Sequence, residues 1–247
     1  MGVCNMFLEK TVAKTPQATV SEEAQWLQSR AGHLSSSTLK KLMAVKGLGK
    51  VGADEMWKIF IERLRGDYLK SKKTSLMERG NDIEPECRLA LEMKLGVKIE
   101  LSGFIIDPVT NSGSTPDGIF YLNGDKCLFE GKARGSEWST EGQIIHYNYA
   151  EIIHDKHPDF WQLQHQLYVT GAKYNYYCNF NPDVSEIDRL LDQRVERSEK
   201  HIDLMVERLI LCNNIIQKVV DEHDHTIDNV LSLSNSKAKL YSLVGIK

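Results

Sequence analysis

Within residues 114–132, STPDGIFYLNGDKCLFEGK, Asp117, Glu130 and Lys132 are spaced so that a hairpin would bring them together. Asn123-Gly124 between two apolar runs is a strong signal for a two-residue type I′ turn. With those two residues as the loop, Leu122 faces Asp125, Phe120 faces Cys127, and Asp117 faces Glu130. Directly opposed residues share a face of the sheet, with Cβ atoms about 4.5–5.5 Å apart. Lys132, two residues beyond Glu130, points to that same face. Two opposed carboxylates repel and raise at least one pKa unless a cation lies between them. Their oxygens suit Mg²⁺ or Mn²⁺ rather than zinc. Such a metal would polarise a phosphate and lower the pKa of a bound water, which Lys132 could position or deprotonate. A salt-bridged surface hairpin is the alternative, but its charges should alternate in sign across the ladder, and Asp117 opposite Glu130 does the reverse.

The elements that must carry this hairpin follow from periodicity. Residues 22–30 (EEAQWLQSR) and 35–46 (SSSTLKKLMAVK) read as helices, the second with a Ser-rich N-cap signal. GLGKVG at 47–52 contains GxGxxG, but no strand precedes it, so it reads as a helix–helix turn rather than a dinucleotide site. Helical periodicity resumes over 54–70 and again over 83–95, where Pro85 would sit in the first turn and Gly96 would stop the helix. The period then changes. VKIELSGFII, GIFYL and KCLFEGK are strand-like runs separated by the turn-forming segments DPVTNSGS and NGD. HPDFWQLQHQLYVTG returns to helix, YNYYCNF reads as a strand, and 185–222 reads as a long helical stretch. The order predicts an α/β fold with a mixed central β-sheet flanked by helices, in a single domain over 1–247. The amphipathic 185–222 stretch is expected to pack on the sheet or on a neighbouring subunit.

Composition narrows the function classes. No apolar run reaches the ~18–20 residues that span a bilayer, so no membrane role is expected. The N-terminal MGVCNMFLEK lacks a secretory pattern, and Met6 stands where a myristoylation motif requires Ser or Thr. Five scattered cysteines without a CxxC pair exclude a zinc ribbon, an iron–sulfur cluster and a disulfide framework, and fit reduced thiols in the cytoplasm. The net charge of -3 advertises no nucleic acid, so any DNA-binding charge must be local. Lys40, Lys41, Lys46 and Lys50, and RLRGDYLKSKK at 63–73, are clusters that would either track phosphates or form solvated helix faces. His154, His157, His223 and His225 lack metal-ligand spacing and read as exposed loop or helix-end histidines.

Pro116-Asp117 followed by Glu130-x-Lys132 resembles the PD-(D/E)XK nuclease signature, and the flanking motifs resemble the lambda exonuclease group, the YqaJ-type viral recombinases. RGNDIEPECRLALE at 79–92 is similar to the group's Gly-x-x-x-Glu helix, which puts Glu84 near the metal. STPDGIF is similar to its SPDG strand, with Thr115 interrupting the usual Ser-Pro. FWQLQHQLYVTG is similar to its Gln-x-Gln helix, with Gln162 and Gln164 in the matching places. QWLQSRAGHLSSSTLKKL is similar to its Trp…Arg-x-Gly…Ser segment, where Arg30 and Ser37 match binders of the 5′ phosphate. The resemblance runs from about 24 to 183, leaving about 185–247 as a helical extension.

The resemblance implies a restriction-endonuclease-like core and a Mg²⁺-dependent 5′→3′ exonuclease, with Mn²⁺ able to substitute, resecting one strand of duplex DNA from its end. Glu84, Asp117, Glu130 and Lys132 would be catalytic, with Asp117, Glu130 and the Gly131 backbone carbonyl as metal ligands. Arg30, Ser37, Gln162 and Gln164 would hold the DNA. A homotrimeric ring around the DNA and a single-strand annealing protein as partner are implied in the same way. The chain departs from the group after Lys132, where Ala-Arg-Gly stands instead of Cys-Pro, and the family's assisting downstream lysine has no clear counterpart, Arg134 being the nearest cation and not assigned that role. Two other readings stand beside this one: a PD-(D/E)XK endonuclease that cuts internally, and a DNA-binding protein with an inactive nuclease core. The complete Asp117, Glu130, Lys132 set opposes the second, and Arg30 with Ser37 opposes the first. Physically, Gln162 and Gln164 at i and i+2 do not share a helix face, whereas Gln162 and Gln166 at i and i+4 do.

Overall fold

The structure is a computed structural model that describes residues 12–13, 20–44, 47–70, 74–133, 136–138, 144–224 and 229–246. Lys46, Lys72, Lys73, Arg134 and His225 lie outside the described residues. In chain order the elements are β1 (Val12–Ala13), α1 (Val20–Arg30), β2 (Leu34–Ser35), α2 (Leu39–Leu42), α3 (Lys50–Arg65) and α4 (Ser75–Leu95). Then come β3 (Phe104–Asp107), β4 (Ser112–Ser114), β5 (Gly118–Leu122), β6 (Asp125–Lys132), β7 (Ser136–Trp138), β8 (Ile144–His146) and α5 (Phe160–Thr170). The chain continues through β9 (Tyr174–Phe180), β10 (Leu190–Glu196), α6 (Glu199–Asp221) and α7 (Asn229–Leu243).

The larger sheet runs β10-β9-β6-β5 and is mixed: β6 and β9 are parallel, joined through α5, while both outer pairs are antiparallel. Successive side chains of a strand go to opposite faces. Cys127 and Phe129 of β6 therefore join Ile83, Cys87 and Leu91 of α4 in one apolar layer. Leu128 goes the other way, onto Leu167 of α5. Glu130 has the parity of Leu128 and so lies under α5. A smaller sheet runs β1-β3-β4-β2, and an isolated bridge joins Glu100, ahead of β3, to Ile119 of β5. The third apolar cluster holds Leu39 and Leu42 of α2, Met56 and Phe60 of α3, a face of α6 (Ile202, Met205, Leu209, Cys212, Ile216, Val219) and Leu240 of α7. The spacing of three and four along α6 is that of an amphipathic helix. Its partner is chiefly α3 rather than the sheet.

The mixed sheet flanked by helices is as the sequence order predicts, and so is the helix–helix turn at GLGKVG. A Cβ on Gly52 would sit 2.9 Å from the Lys41 carbonyl oxygen, so glycine permits the close approach of α3 to α2. Several boundaries differ from expectation. Residues 190–196, expected as helix, form β10, because pairing along the whole of β9 overrides the helical preference of LLDQRVE. The run 97–106 is a strand only from Phe104, whereas SGS at 112–114, expected as turn, pairs on both sides as β4. Residues 35–46, expected as one helix, begin with β2 and a 3-10 turn at Ser36–Thr38 before the four-residue α2. Helix α4 starts at Ser75, so Pro85 lies inside it and not in its first turn. The proline has no N–H for the carbonyl one turn back. Apolar contacts of Ile83, Cys87 and Leu91 with the sheet hold the helix together across that gap.

Among the described residues no helix is long and apolar enough to cross a membrane.

Candidate active site

The hairpin register is the expected one. Leu122 pairs with Asp125, Phe120 with Cys127 and Gly118 with Phe129, which carries Asp117 opposite Glu130. Asn123 and Gly124 take left-handed φ values of 51° and 86°, as a type I′ turn requires. Side chains follow. Lys132 Nζ donates to Glu130 Oε1 at 2.5 Å, and the Gly131 N–H donates to Asp117 Oδ2 at 2.9 Å. Glu130 is 2 % exposed.

Helix α5 covers the carboxylate. Gln162 Nε2 donates to Glu130 Oε1 at 2.5 Å and Gln166 Nε2 donates to Oε2 at 2.6 Å, so the two glutamines one turn apart grip the same group. Gln164 is turned away: wholly buried, it donates to the Glu196 carbonyl at 2.9 Å and accepts from the Ser198 N–H at 2.8 Å. Both ends of its amide thus tie α5 to the β10–α6 junction, a placement opposite to the DNA contact expected of it. Gln166 takes the second position at the site, and the i, i+4 spacing was the signal for it.

Helix α4 brings Glu84 to the same cluster from the opposite side. Glu84 shares a helix face with Cys87, which packs beside Gly131. A Cβ on Gly131 would lie 3.0 Å from the Phe129 ring and 3.6 Å from Cys87 Sγ. Arg88 Nη1 stands 3.9 Å from Glu84 Oε1. The electrostatics follow from three carboxylates and few cations. Burial, then the charges of Glu130 and Glu84, push the Asp117 carboxyl well above the usual range, against Lys132 and the Gly131 N–H. Burial and Glu130 raise Glu84 as well, against Arg88 and Lys132. For Lys132, burial acts downward but is outweighed by Glu130, Asp117 and Asp159, so its ammonium is held protonated. Asp159 was not singled out from sequence. It is buried at the start of α5 and accepts from the Tyr177 hydroxyl at 2.8 Å.

This donor set fits a hard divalent cation. Among the described residues no three His, Cys, Asp or Glu side chains are already grouped as metal ligands. The fit rests instead on excess negative charge around Asp117, Glu130 and Glu84, and on carboxylate lone pairs left after the bonds above. Oxygen donors of this kind select Mg²⁺ or Mn²⁺.

A second cluster lies on the small sheet. The Arg30 guanidinium stacks 4.5 Å from the Trp26 ring centroid and 5.8 Å from those of Tyr68 and Phe104. Burial lowers its pKa, and its Nε is buried without a partner among the described residues. Ser37 is exposed just beyond β2, with its hydroxyl 3.3 Å from that of Ser35. Ser114 and Thr115 also present buried hydroxyls with no partner among the described residues. They end β4, which runs in parallel beside β2 and leads through Pro116 into Asp117. The flanking STPD motif carried these two hydroxyls in plain view, yet sequence reasoning fixed on its proline and aspartate.

Other candidates resolve into structural roles. Arg63 donates to the Gly32 carbonyl, Asn213 and Gln217, joining α3 to α6, and Lys41 pairs with Glu55 at 2.7 Å. Lys40 and Lys50 are exposed. His154 is exposed as expected, but His157 is buried, packed edge-on against Tyr177 and accepting from the Asp159 N–H. His223 is half-buried, bonded to Ser236 and edge-on to Phe60.

Comparisons with known proteins find a family and a fold that this chain resembles. The family model of the YqaJ-like viral recombinase domain matches residues 25–173. The fold is similar to that of an alkaline exonuclease from Laribacter hongkongensis, with TM-score 0.65 and 18% identity over 87% of this chain and 98% of that one. The same exonuclease in complex with dAMP gives TM-score 0.65 and 20% identity over 80% and 94% of the two chains. A phage-related exonuclease from Haemophilus somnus 129PT gives TM-score 0.57 and 12% identity over 80% and 99%. At these identities the likeness is one of fold alone. Comparison with curated proteins finds no match.

Proposed function

The chain belongs to the YqaJ-like viral recombinase domain family, and from that premise and the site we propose that it is a Mg²⁺-dependent 5′→3′ exonuclease that degrades one strand of linear double-stranded DNA from its end. Mn²⁺ serves in place of Mg²⁺. The reading includes a homotrimeric ring on the DNA and delivery of the exposed strand to a single-strand annealing protein, in a host-cell cytoplasm. The whole chain acts as one nuclease domain, with a core over about 24–183 and a helical extension over about 185–247.

The observation that carries the proposal is the convergence of Asp117, Glu130 and Lys132 on one face, with Glu130 gripped by Gln162 and Gln166. Asp117 and Glu130, with the Gly131 carbonyl, would hold the cation. When bound, it supplies Lewis-acid stabilisation of charge developing on a phosphate. The protein's own groups do the rest. Gln162 and Gln166 fix the Glu130 carboxylate by neutral donors, so it stays in place without losing its charge. Lys132 is kept cationic by Glu130, Asp117 and Asp159, and donates hydrogen bonds toward a phosphate oxygen or an attacking water. A cation held by the first two carboxylates would offset part of their pull on the Lys132 proton, the change that a proton-acceptor role for Lys132 would need. Glu84 stands on the opposite wall, where its raised pKa suits it to take or hold a proton from water. Arg30, Ser114 and Thr115 would supply unpartnered donors for a terminal 5′ phosphate, and the exposed Ser37 a further hydroxyl.

The test is digestion with Mg²⁺ of linear duplexes, with and without a 5′ phosphate, beside closed circular DNA. Loss of one strand from phosphorylated linear ends, with the circle intact, is expected. Cutting of the circle would refute the exonuclease reading.

A further inference from the structure

Behind Glu130 lies a chain of amides that runs away from the candidate active site into the core. Gln166 Nε2 donates to Glu130 Oε2 at 2.6 Å, and Gln166 Oε1 accepts from Asn175 Nδ2 at 2.7 Å. Gln166 is 1 % exposed and Asn175 is fully buried. Asn175 lies on β9, paired with Leu128 on one side and Val195 on the other, and projects to the α5 face. Its Oδ1 is buried without a partner among the described residues. Leaving a buried carbonyl oxygen unpaired is costly, so a polar side chain here calls for an explanation.

We propose that Asn175 sets the polarity of the Gln166 amide and that the pair are positioning residues for Glu130. A glutamine amide can present either its oxygen or its NH₂ to a neighbour. Beside a carboxylate only the NH₂ end is favourable, and the donated bond from Asn175 to Gln166 Oε1 selects that orientation. The carboxylate is thus held from behind by a donor that cannot invert, and from the side by Gln162 and Lys132. Groups that orient a metal-binding carboxylate in this manner normally govern metal affinity about 10–100-fold. The inference rests on the metal-dependent reading above and names two residues that act through Glu130 without touching substrate.

The polarity argument separates two substitutions at one position. Asn175→Asp keeps the shape and, once ionised at alkaline pH, has no donor, so the Gln166 NH₂ turns toward it and the Gln166 oxygen turns on Glu130. Asn175→Ala removes the tether yet leaves Gln166 free to keep donating to Glu130. Mn²⁺ binding to the full chain, measured by the EPR signal of free Mn²⁺ at fixed alkaline pH, is therefore expected to weaken about tenfold or more in Asn175→Asp, and by less in Asn175→Ala. A packing role predicts the reverse order, since alanine opens a cavity and aspartate does not. Gln166→Met, which fills the same space without a donor, is expected to weaken Mn²⁺ binding about as much as Asn175→Asp, and stands in for it if that variant does not fold. Thermal unfolding in EDTA identifies the folded variants. Equal Mn²⁺ affinities in wild type and in the folded variants, or a greater loss in Asn175→Ala than in Asn175→Asp, would overturn the positioning role alone. A wild-type protein that binds no Mn²⁺ would overturn the metal reading and the positioning role with it.

Discussion

Replacing Lys132 by methionine tests the charge balance of the site, because the substitution keeps an unbranched stem and removes the ammonium 2.5 Å from Glu130 Oε1. Breaking a buried ion pair by deleting one partner costs about 3–5 kcal/mol, since the other charge is left uncompensated. Two features of this site reduce that figure. The Lys132 side chain is 21% exposed, so water screens part of the attraction. Glu130 also keeps the Gln162 and Gln166 donors at 2.5 and 2.6 Å. A loss of about 2–3 kcal/mol remains. For a chain of this size 1 kcal/mol moves Tm by about 2–4 °C, so thermal unfolding in EDTA should shift down by about 4–12 °C. Added Mn²⁺ places positive charge among the same carboxylates. The metal-induced rise in Tm should therefore be larger in the variant than in wild type, while DNA degradation is abolished. A variant within about 1 °C of wild type in EDTA, or one with a smaller response to Mn²⁺, would refute the account of Lys132 as the counter-charge of this cluster.

Asp117→Asn should act in the opposite direction. The Asp117 carboxyl is raised by burial and by Glu130 and Glu84, so the fold favours its protonated form. That contribution is fully present below the unfolded value of about 3.9 and is lost as pH rises through the raised folded value. The metal-free variant should thus gain stability over wild type as pH rises from about 4 to neutrality, in urea melts with EDTA, while Mn²⁺ binding and cleavage fail; a difference independent of pH would contradict the assignment. Arg30→Ala should lower the preference for 5′-phosphorylated over 5′-hydroxyl ends by about 10- to 150-fold, the range of one charge-assisted hydrogen bond. Arg30→Lys should recover part of it, because charge returns without the planar fork. Equal rate losses on both kinds of end would exclude a phosphate contact.

The hairpin was legible from sequence because a two-residue Asn-Gly loop fixes register by counting, and register fixes the face of every side chain. The face carrying Glu130 and Lys132 needed no tertiary information. What lay out of reach depended on partners distant in the chain. LLDQRVE has no strong strand character and becomes β10 only because β9 offers it a full-length edge. SGS at 112–114 reads as turn and becomes a strand because β2 and β3 flank it. The glutamines of α5 divide differently from their spacing in the family pattern. Gln162 and Gln166 share the stripe that faces β6, whereas Gln164 lies about 200° around the helix from Gln162 and is consumed by the β10–α6 junction. Helical geometry alone separates the two faces, but which face meets the sheet depends on the apolar contacts of Leu163 and Leu167.

Helix α5 also links the two clusters mechanically. Between Gln164 and Gln166 lies His165, wholly buried, with Nδ1 2.7 Å from the Ser36 hydroxyl and Nε2 2.8 Å from the Ser112 hydroxyl. Ser36 precedes the exposed Ser37, and Ser112 opens the strand that ends in Ser114 and the Thr115 hydroxyl. Three turns of one helix therefore fix the carboxylate of the hairpin, through Gln162 and Gln166, and the two strands of the small sheet, through His165. Tyr168 extends the link by donating to Asp107 at 3.0 Å, at the far end of β3. A phosphate held near β2 and β4 and a bond cleaved beside β6 would share a single rigid reference. The distance between a DNA end and the scissile phosphate would then be set by α5 rather than by loop closure. That arrangement suits an enzyme that must cut at a fixed step from an end, and it places the demand for precision on buried polar bonds whose partners come from four separate parts of the chain.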